Sequence, residues 1–360
     1  GGDGVAGAAL AGGAPAGITQ TLNFVKVLFL TLQFGRAVQQ LRLQDRALRG
    51  PAVHIALVLH RAGAWDALAV PGDPTDVPGL VCDYASSFVA GDRLQYFRLL
   101  GAPDRAQALE QMLLGGGAGA NDDLLGRIDD SGRHHPGLLE QALQADGRGD
   151  GAEFVDLCAR AGRRALEHGQ YREALRLLHL GRCHGDVLQA LCRCLRLPAW
   201  QDPALAGCNE ALLLSQDIQR FYAIYERNLD RYCLSSQTWS VARKLYASRM
   251  FHSLCEKGQP EAALDLFDRE HLLPLAAAAE AAAGGVASAM EADGEMLVEY
   301  PRLVANYVRI LCYAASRQGA GAAANLQARV RQLQMYLAVH SHKLVLDQET
   351  TEALARLTLC

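Results

Sequence analysis

The sequence predicts an all-α protein, an irregular α-solenoid of stacked antiparallel helix pairs. Three observations carry that reading. Nearly every apolar pattern along the 360 residues recurs at spacings of three and four, the helical period. Segments of helix length are separated by short stretches rich in Gly and Pro. No stretch shows the apolar–polar alternation that marks a half-buried strand. A search for internal repeats finds no fixed period, so the array is irregular; short helix pairs that cannot bury their faces alone must stack on their neighbours. A compact bundle is the runner-up, but so many short helices exceed what one bundle core accommodates.

Ile18, Leu22, Val25, Phe29 and Leu32 form the first stripe, broken at Gly35; Val38, Leu41 and Leu48 continue as a second helix. Pro51 fits a first helical turn and opens a third helix through Val53, Leu57 and His60. Pro71, Gly72, Asp73, Pro74, Pro78 and Gly79 make a loop. Helices resume over 80–89 and then, capped by Asp92, through Leu94, Phe97 and Leu100; Asp104 caps the next, through Ala108 and Met112.

The middle of the chain is clearest. Phe154, Leu157, Cys158, Ala161 and Ala165 make a stripe ended by Gly169, and Tyr171, Ala174, Leu175 and Leu178 make one closed by Gly181. Val187, Leu188, Leu191 and Leu195 make a third, stopped by Pro198. Two longer helices carry Ile218, Phe221, Tyr222, Tyr225, Leu229 and Tyr232, and then Trp239, Ala242, Tyr246, Met250 and Leu254. Pro260 starts a short helix with Ala263, Leu264 and Phe267, and the last third reads as helices near 296–316, 322–340 and 348–359. Residues 1–17 read as a flexible Ala/Gly-rich segment and 18–360 as one solenoid, with flexible insertions near 66–79, 115–121, 276–290 and 318–324.

Composition narrows the function. With 50% hydrophobic and 21% charged residues the chain can bury a sizeable core. Its 35 basic and 39 acidic residues give a net charge of -4, which excludes a polyanion binder relying on bulk positive charge, so no direct nucleic-acid contact is expected. Only Lys26, Lys244, Lys257 and Lys343 are lysines, a bias that together with the abundant Ala and Gly reads as GC-rich coding. Ten cysteines are spread through helical apolar patterns, which points to a reducing compartment rather than a disulfide scaffold. No charged segment followed by an apolar core marks a signal peptide, and the Gly1-Gly2-Asp3 start reads as a fragment. Residues 272–290 carry one charge, Glu280, but are mostly alanine with Pro274 and Gly284-Gly285, so no membrane span is expected.

Reactive chemistry finds no home. Cys183, His184, Cys192 and Cys194 are the densest metal-ligand types, yet Cys192 and Cys194 point apart on a helix and no CxxC pair exists; buried thiols and an exposed His184 are expected. His134-His135 before Pro136 read as solvated, as does the pair His340 and His342. Asp129-Asp130 beside Ser131-Gly132 read as turn formers. The Gly-rich tracts at 12–13, 115–121 and 319–321 lack the Gly-Lys-Ser/Thr ending of a phosphate loop. No nucleophile elbow or zinc-protease signature occurs, so catalytic, cofactor-binding and metal residues are none and no cofactor is expected. The aromatics Phe221, Tyr222, Tyr225, Tyr232, Trp239 and Tyr246 fall at core spacing; the other use of such a set is a groove for a partner's short amphipathic helix. Partner-contact residues are not legible.

Several segments in order resemble a known family. Residues 20–41 read QTLNFVKVLFLTLQFGRAVQQL, 52–63 AVHIALVLHRAG and 91–100 GDRLQYFRLL. Residues 121–143 read NDDLLGRIDDSGRHHPGLLEQAL, 168–195 HGQYREALRLLHLGRCHGDVLQALCRCL and 260–275 PEAALDLFDREHLLPL. The series, from about residue 20 to 360, is similar to the nucleoporin-interacting-component family, the linker-and-solenoid scaffold nucleoporins of the inner ring of the nuclear pore complex. That resemblance implies a bent, J-shaped helical stack resembling vesicle-coat scaffolds. It implies a structural, non-enzymatic role at the nuclear envelope, in a large symmetric multi-copy assembly supporting nucleocytoplasmic transport of protein and RNA. Implied partners are other inner-ring scaffold and linker nucleoporins, including a small membrane-associated one, and a channel nucleoporin trimer held by an N-terminal segment that is missing here. The Ala/Gly tracts depart from the family pattern, and the Arg bias would suit a GC-rich algal genome. The competing expectation is a cytoplasmic vesicle-coat or tetratricopeptide-like adaptor.

Leu175→Asp is expected to lower stability by several kcal/mol, because it places an unpaired carboxylate between helices. Thermal melting checks it; an unchanged midpoint would mean that this face is not in the core.

Overall fold

The structure, a computed structural model, describes residues 16–44, 46–64, 76–115, 122–145, 151–197, 209–275, 296, 298–317, 323–340 and 344–359. Among these residues it is almost wholly helical, as predicted, and packing divides it into two compact units. The first comprises residues 1–129 and 133–165, the second residues 130–132 and 166–360. The sequence-predicted insertions near 66–79, 115–121, 276–290 and 318–324, the segment 1–17, the Gly tracts at 12–13 and 319–321, Pro198 and His342 fall wholly or largely outside the described residues.

In the first unit α1 (Ala16–Leu30) packs on α2 (Phe34–Gln44), α2 on α3 (Arg46–Arg61), and α3 on α4 (Val77–Ala85). Next, α5 (Ala90–Phe97) packs on α4, α6 (Ala102–Gly115), α7 (Asp122–Leu125) and α8 (Leu138–Ala145). Most of α9 (Ala152–Glu167) completes the unit, with the predicted stripe Phe154, Leu157, Cys158, Ala161 and Ala165 buried.

The first helix break lies at residues 31–33, not at Gly35, which is inside α2. Leu32 takes the left-handed conformation (φ 57°) while its N–H donates to the Phe29 carbonyl and that of Gln33 to the Leu28 carbonyl. Those two bonds satisfy the last carbonyls of α1 in the Schellman arrangement, so here a leucine occupies the position where glycine is usual. Pro51 sits inside α3 rather than opening it, and Pro78 stands in the first turn of α4, where the loop expected through Gly79 has already ended. Asp92 and Asp104 are not caps; each is the third residue of its helix, where a carboxylate still meets the positive end of the helix dipole.

One hairpin corrects the expectation that strands are absent. Strand β1 (Gly126–Ile128) pairs antiparallel with β2 (His134–Pro136), Ile128 opposite His134. Three-residue strands are too short to display alternation. Their close approach needs Gly126 (φ 80°), where a Cβ would come within 2.0 Å of the His135 carbonyl oxygen.

In the second unit α10 (Tyr171–Leu180) pairs with α11 (His184–Leu195), and α11 packs on α12 (Asn209–Arg227) and α13 (Ser236–Glu256). Further along, α13 packs on α14 (Pro260–Glu270) and α15 (Tyr300–Arg317), and α15 on α16 (Ala323–His340) and α17 (Gln348–Leu359). Leu175, Leu178, Val187, Leu188, Leu191 and Leu195 are all fully buried, and Phe267 of α14 stacks on Tyr307 of α15 with ring centres 4.0 Å apart. Pro260 opens α14 as predicted.

A buried ion pair lies within this unit. Arg249 of α13 donates to the carbonyl of Leu195, the last residue of α11, and to Glu299 at 3.1 Å, with both side chains under a tenth exposed. Beside it His252 accepts a 2.7 Å hydrogen bond from the Asn306 amide. Glu299→Ala leaves the guanidinium buried without a counter-charge and is expected to cost about 3–5 kcal/mol. Chemical denaturation reads it, and the double variant Arg249→Met, Glu299→Leu should lose less than the single one.

Candidate functional site

The structure disperses the residue sets that the sequence offers for chemistry. Cys192 and Cys194 are buried on α11, and burial pushes the Cys194 thiol up to about 12. Cys183 is half-buried, its thiol donating to the Gly181 carbonyl. Among the described residues no three His, Cys, Asp or Glu side chains converge as a metal site would require, and no two cysteines form a disulfide. Asp129 acts as a turn former, its carboxylate accepting from the Arg133 N–H at 2.9 Å.

The two hairpin histidines diverge because successive strand residues point to opposite faces. His134 is not solvated: it bonds the Leu125 carbonyl at 2.8 Å and stacks on Phe154. His135 stays exposed. His340, also expected in solvent, is 8% exposed and packs against Tyr336.

The six aromatics singled out in the sequence separate into two clusters. In the first, His184 is half-buried rather than exposed; it stacks on Tyr232 with centroids 4.1 Å apart, and its Nδ1 lies 2.8 Å from the Tyr225 hydroxyl. That hydroxyl also meets Nδ1 of the buried His179, whose Nε2 reaches the Gly132 carbonyl at 3.1 Å. A carbonyl can only accept, so neutral His179 carries its proton on Nε2 and takes the Tyr225 O–H at Nδ1. The Tyr225 oxygen then accepts from Nδ1–H of His184. Burial, followed by the repulsion that a protonated His179 would exert and by the charges of Arg182 and Arg231, lowers the His184 pKa to about 4. Gly132 (φ 77°) is fixed at the same spot, since a Cβ there would stand 2.5 Å from the Tyr232 hydroxyl. Phe221 packs edge-on against His179.

The second cluster borders a groove. Tyr222 of α12 is sandwiched by Trp239 and Tyr246 of α13, with ring centres 5.2 and 3.9 Å away. Tyr222 and Tyr246, but not Trp239, line a cleft of ≈ 490 Å³ between α12, α13 and α14. Ala247, Met250 and Leu254 of α13 and Leu266 of α14 extend its apolar floor. On its wall Glu270 accepts from Arg243 at 2.8 Å and Arg269 at 3.2 Å. Burial alone would raise the Glu270 pKa, but the hydrogen bonds and charges of the two arginines outweigh it and hold the carboxyl below its ordinary value. Burial and then the Glu226 charge push both tyrosine hydroxyls up, so the rings stay neutral.

Sequence reasoning named Tyr222, Trp239 and Tyr246 but missed the charged wall. The available signal was the exposed face of α13, where Arg243, Met250 and Leu254 follow one another at helical spacing alongside Tyr246. None of these groups forms a nucleophile–base pair or a phosphate cradle. The site is a groove, apolar at its base and charged at its rim.

A sequence profile of the Nup93/Nic96 family matches residues 12–337. No curated protein matches the chain by sequence. Among solved structures it is similar to Nic96 SOL from Chaetomium thermophilum, with a TM-score of 0.59, 19% identity, and coverage of 93% of this chain and 55% of that one. The chain thus spans about half of that structure's length, and at this identity the likeness speaks for the fold.

Because the folded state holds His184 near pKa 4 and His252 near 3, both below the ordinary 6.5, the unfolded chain takes up these protons first on acidification. Stability is therefore expected to be intact above pH 6.5 and to fall as pH drops toward 4, by about 1–2 kcal/mol for the half-exposed His184. Melting measured from pH 7 to 4.5 checks it, with a shallower slope expected for His184→Asn.

Proposed function

The chain belongs to the Nup93/Nic96 family, whose members are structural scaffold nucleoporins and not enzymes, and on that premise we propose that it is a scaffold segment of the inner ring of the nuclear pore complex. The observation that carries this reading is the family match over residues 12–337, and the helical fold shared with Nic96 SOL supports it. A stack of short helices suits the role physically: each helix is held by its neighbours, and the exposed faces and grooves offer area for other proteins. The groove between α12, α13 and α14 has a recognition surface's composition and none of the polar convergence of a catalytic pocket.

Its partners are other nucleoporins. The inner-ring scaffold and linker nucleoporins, with the channel trimer, are those the family resemblance points to. Localisation at the nuclear envelope follows from the same reading, and among the described residues no helix is long and apolar enough to cross a membrane. The vesicle-coat or adaptor alternative shares the architecture but has no family match in its favour.

Tagging the full-length parent in its own cells tests the proposal. A continuous nuclear rim with inner-ring nucleoporins recovered on pull-down is expected. Cytoplasmic puncta or a diffuse signal would overturn it.

A further inference from the structure

The turn between α1 and α2 joins an exposed apolar tip to uncompensated positive charge. Leu30 is 83% exposed and Leu32 53%, and Phe24 and Val27 precede Leu30 at spacings of three on the outward side of α1, each about half exposed. Contiguous exposure of this kind marks a contact surface. Two basic residues frame the tip: Lys26 one turn before Leu30 and Arg36 one turn beyond Leu32, both exposed and neither in an ion pair with a described residue. From Gly4 to Gln44 the sequence holds no Asp or Glu. The carboxylates that reach α2 from elsewhere, Asp76 and Asp83, lie beside Val38, Gln39 and Arg42, and Arg42 pairs with Asp83 at 2.6 Å. Lys26 and Arg36 therefore leave two positive charges at the tip.

The polar groups of the turn are bonded to one another. The N–H groups of Leu32 and Gln33 close the last carbonyls of α1, and the Thr31 hydroxyl donates to the Val27 carbonyl at 2.9 Å. The Gln33 amide donates to the Thr31 hydroxyl, and Arg36 donates to the Gln33 amide oxygen at 3.0 Å. A backbone satisfied in this way can leave water without orphaned groups. We propose that the turn is an interfacial contact with an anionic lipid bilayer. Leu30 and Leu32 enter the boundary of the acyl chains, with Val27 behind them, and Lys26 and Arg36 lay their stems along the apolar tip and reach the anionic headgroups. The contact is with one leaflet, since no helix among the described residues is long and apolar enough to cross a membrane. A turn this exposed offers a protein partner little to enclose, whereas a lipid surface yields to it and needs only apolar area and positive charge. The proposal goes beyond the scaffold reading and stands on the exposure and charge of the hairpin alone.

The test is vesicle flotation with the whole 360-residue chain and with the full-length parent. The vesicles are of phosphatidylcholine alone, or of phosphatidylcholine with about one-third phosphatidylserine. Binding to the anionic vesicles is expected to be at least about tenfold tighter, and to weaken with added salt. Lys26→Glu with Arg36→Glu should remove that preference. Leu30→Asp with Leu32→Asp should weaken binding to the anionic vesicles by at least about tenfold. Depth has its own readout: Leu30→Trp should be quenched by lipids brominated on their acyl chains, and Val345→Trp, at an 87% exposed position of the second unit, should not. Both leucines are exposed, and aspartate is tolerated at the left-handed φ of Leu32, so unchanged melting is expected. If the double variant does not fold, Leu30→Asp alone replaces it, with a loss of at least about threefold.

Absence of flotation, equal binding to the two vesicles, or indifference to the leucine changes would overturn the proposal. A dimer of the chain that Leu30→Asp dissolves would also overturn it, since the tip would then be covered by a second copy. So would a full-length parent that stays behind while the 360-residue chain floats, because another part of the parent would then cover the turn. None of these outcomes alters the nuclear rim of the tagged wild-type parent, whereas loss of that rim would sink the scaffold reading and leave the lipid contact standing.

Discussion

The last turn of every α-helix leaves carbonyl groups without an intrahelical partner, and a chain made of many short helices brings many such turns close to its core. The structure depends on how these carbonyls are satisfied. Some helices close on themselves by a left-handed residue, as α1 does at Leu32, α10 at Arg182 and α14 at His271. Elsewhere a donor arrives from a different element. Arg93 of α5 holds the Ala85, Ser86 and Phe88 carbonyls at the end of α4, and Arg249 of α13 holds that of Leu195 at the end of α11. His134 does the same for Leu125, and His179 and Asn228 for Gly132 and Ser131 at the hairpin turn. Each such bond ties together elements distant in sequence, adding specificity to packing that apolar stripes alone would leave free to slide.

That division of labour explains what the sequence shows and what it hides. Apolar stripes are local, and those of α9, α10 and α11 lie in the core except for the half-buried Tyr171. Helix ends are less legible. A reader expects glycine at the left-handed position, and Gly169 (φ 73°) and Gly258 (φ 67°) meet that expectation. Leu32, Arg182 and His271 do not; they adopt the strained conformation at roughly 1 kcal/mol each because the two backbone bonds and the packing beyond them compensate. Hence the break assigned to Gly35 lies at Leu32, and the left-handed residue beside Gly181 is Arg182. The hairpin is hidden for another reason. Its strands are held by a close backbone approach at Gly126 and by His134, which bonds the Leu125 carbonyl and stacks on Phe154, not by an alternating pattern.

The polar residues were hardest to place from the sequence, since burial of a polar side chain depends on partners far along the chain. His184 looks solvent-facing at the start of a helix, yet Tyr225 and Tyr232, some forty residues later, enclose it. The same distance hid the groove. Tyr222 and Tyr225 are neighbours on α12 and read as one aromatic stripe, but three residues of separation turn them enough to serve different ends. Tyr225 locks the histidine pair, whereas Tyr222 stacks against Trp239 and Tyr246 at the cleft.

The groove therefore has two layers with different tolerances. Its floor belongs to the core: Tyr222 is 7% exposed and Ala247 5%, so a change there alters packing of α12 against α13 as well as any docking. Its rim is another matter, because Glu226 and Asp265 are exposed and support no described ion pair, so they are free to change without disturbing the stack. A scaffold built this way can keep one architecture while its groove rims change, since floor residues set the shape and rim residues set the charge. The Arg243–Glu270–Arg269 cluster stands between the two layers. It is tied to Tyr222 by position and to solvent by its arginines, and its two guanidinium groups share one carboxylate, so the tyrosine end of the lining is positive while Glu226 and Asp265 add negative charge along the walls.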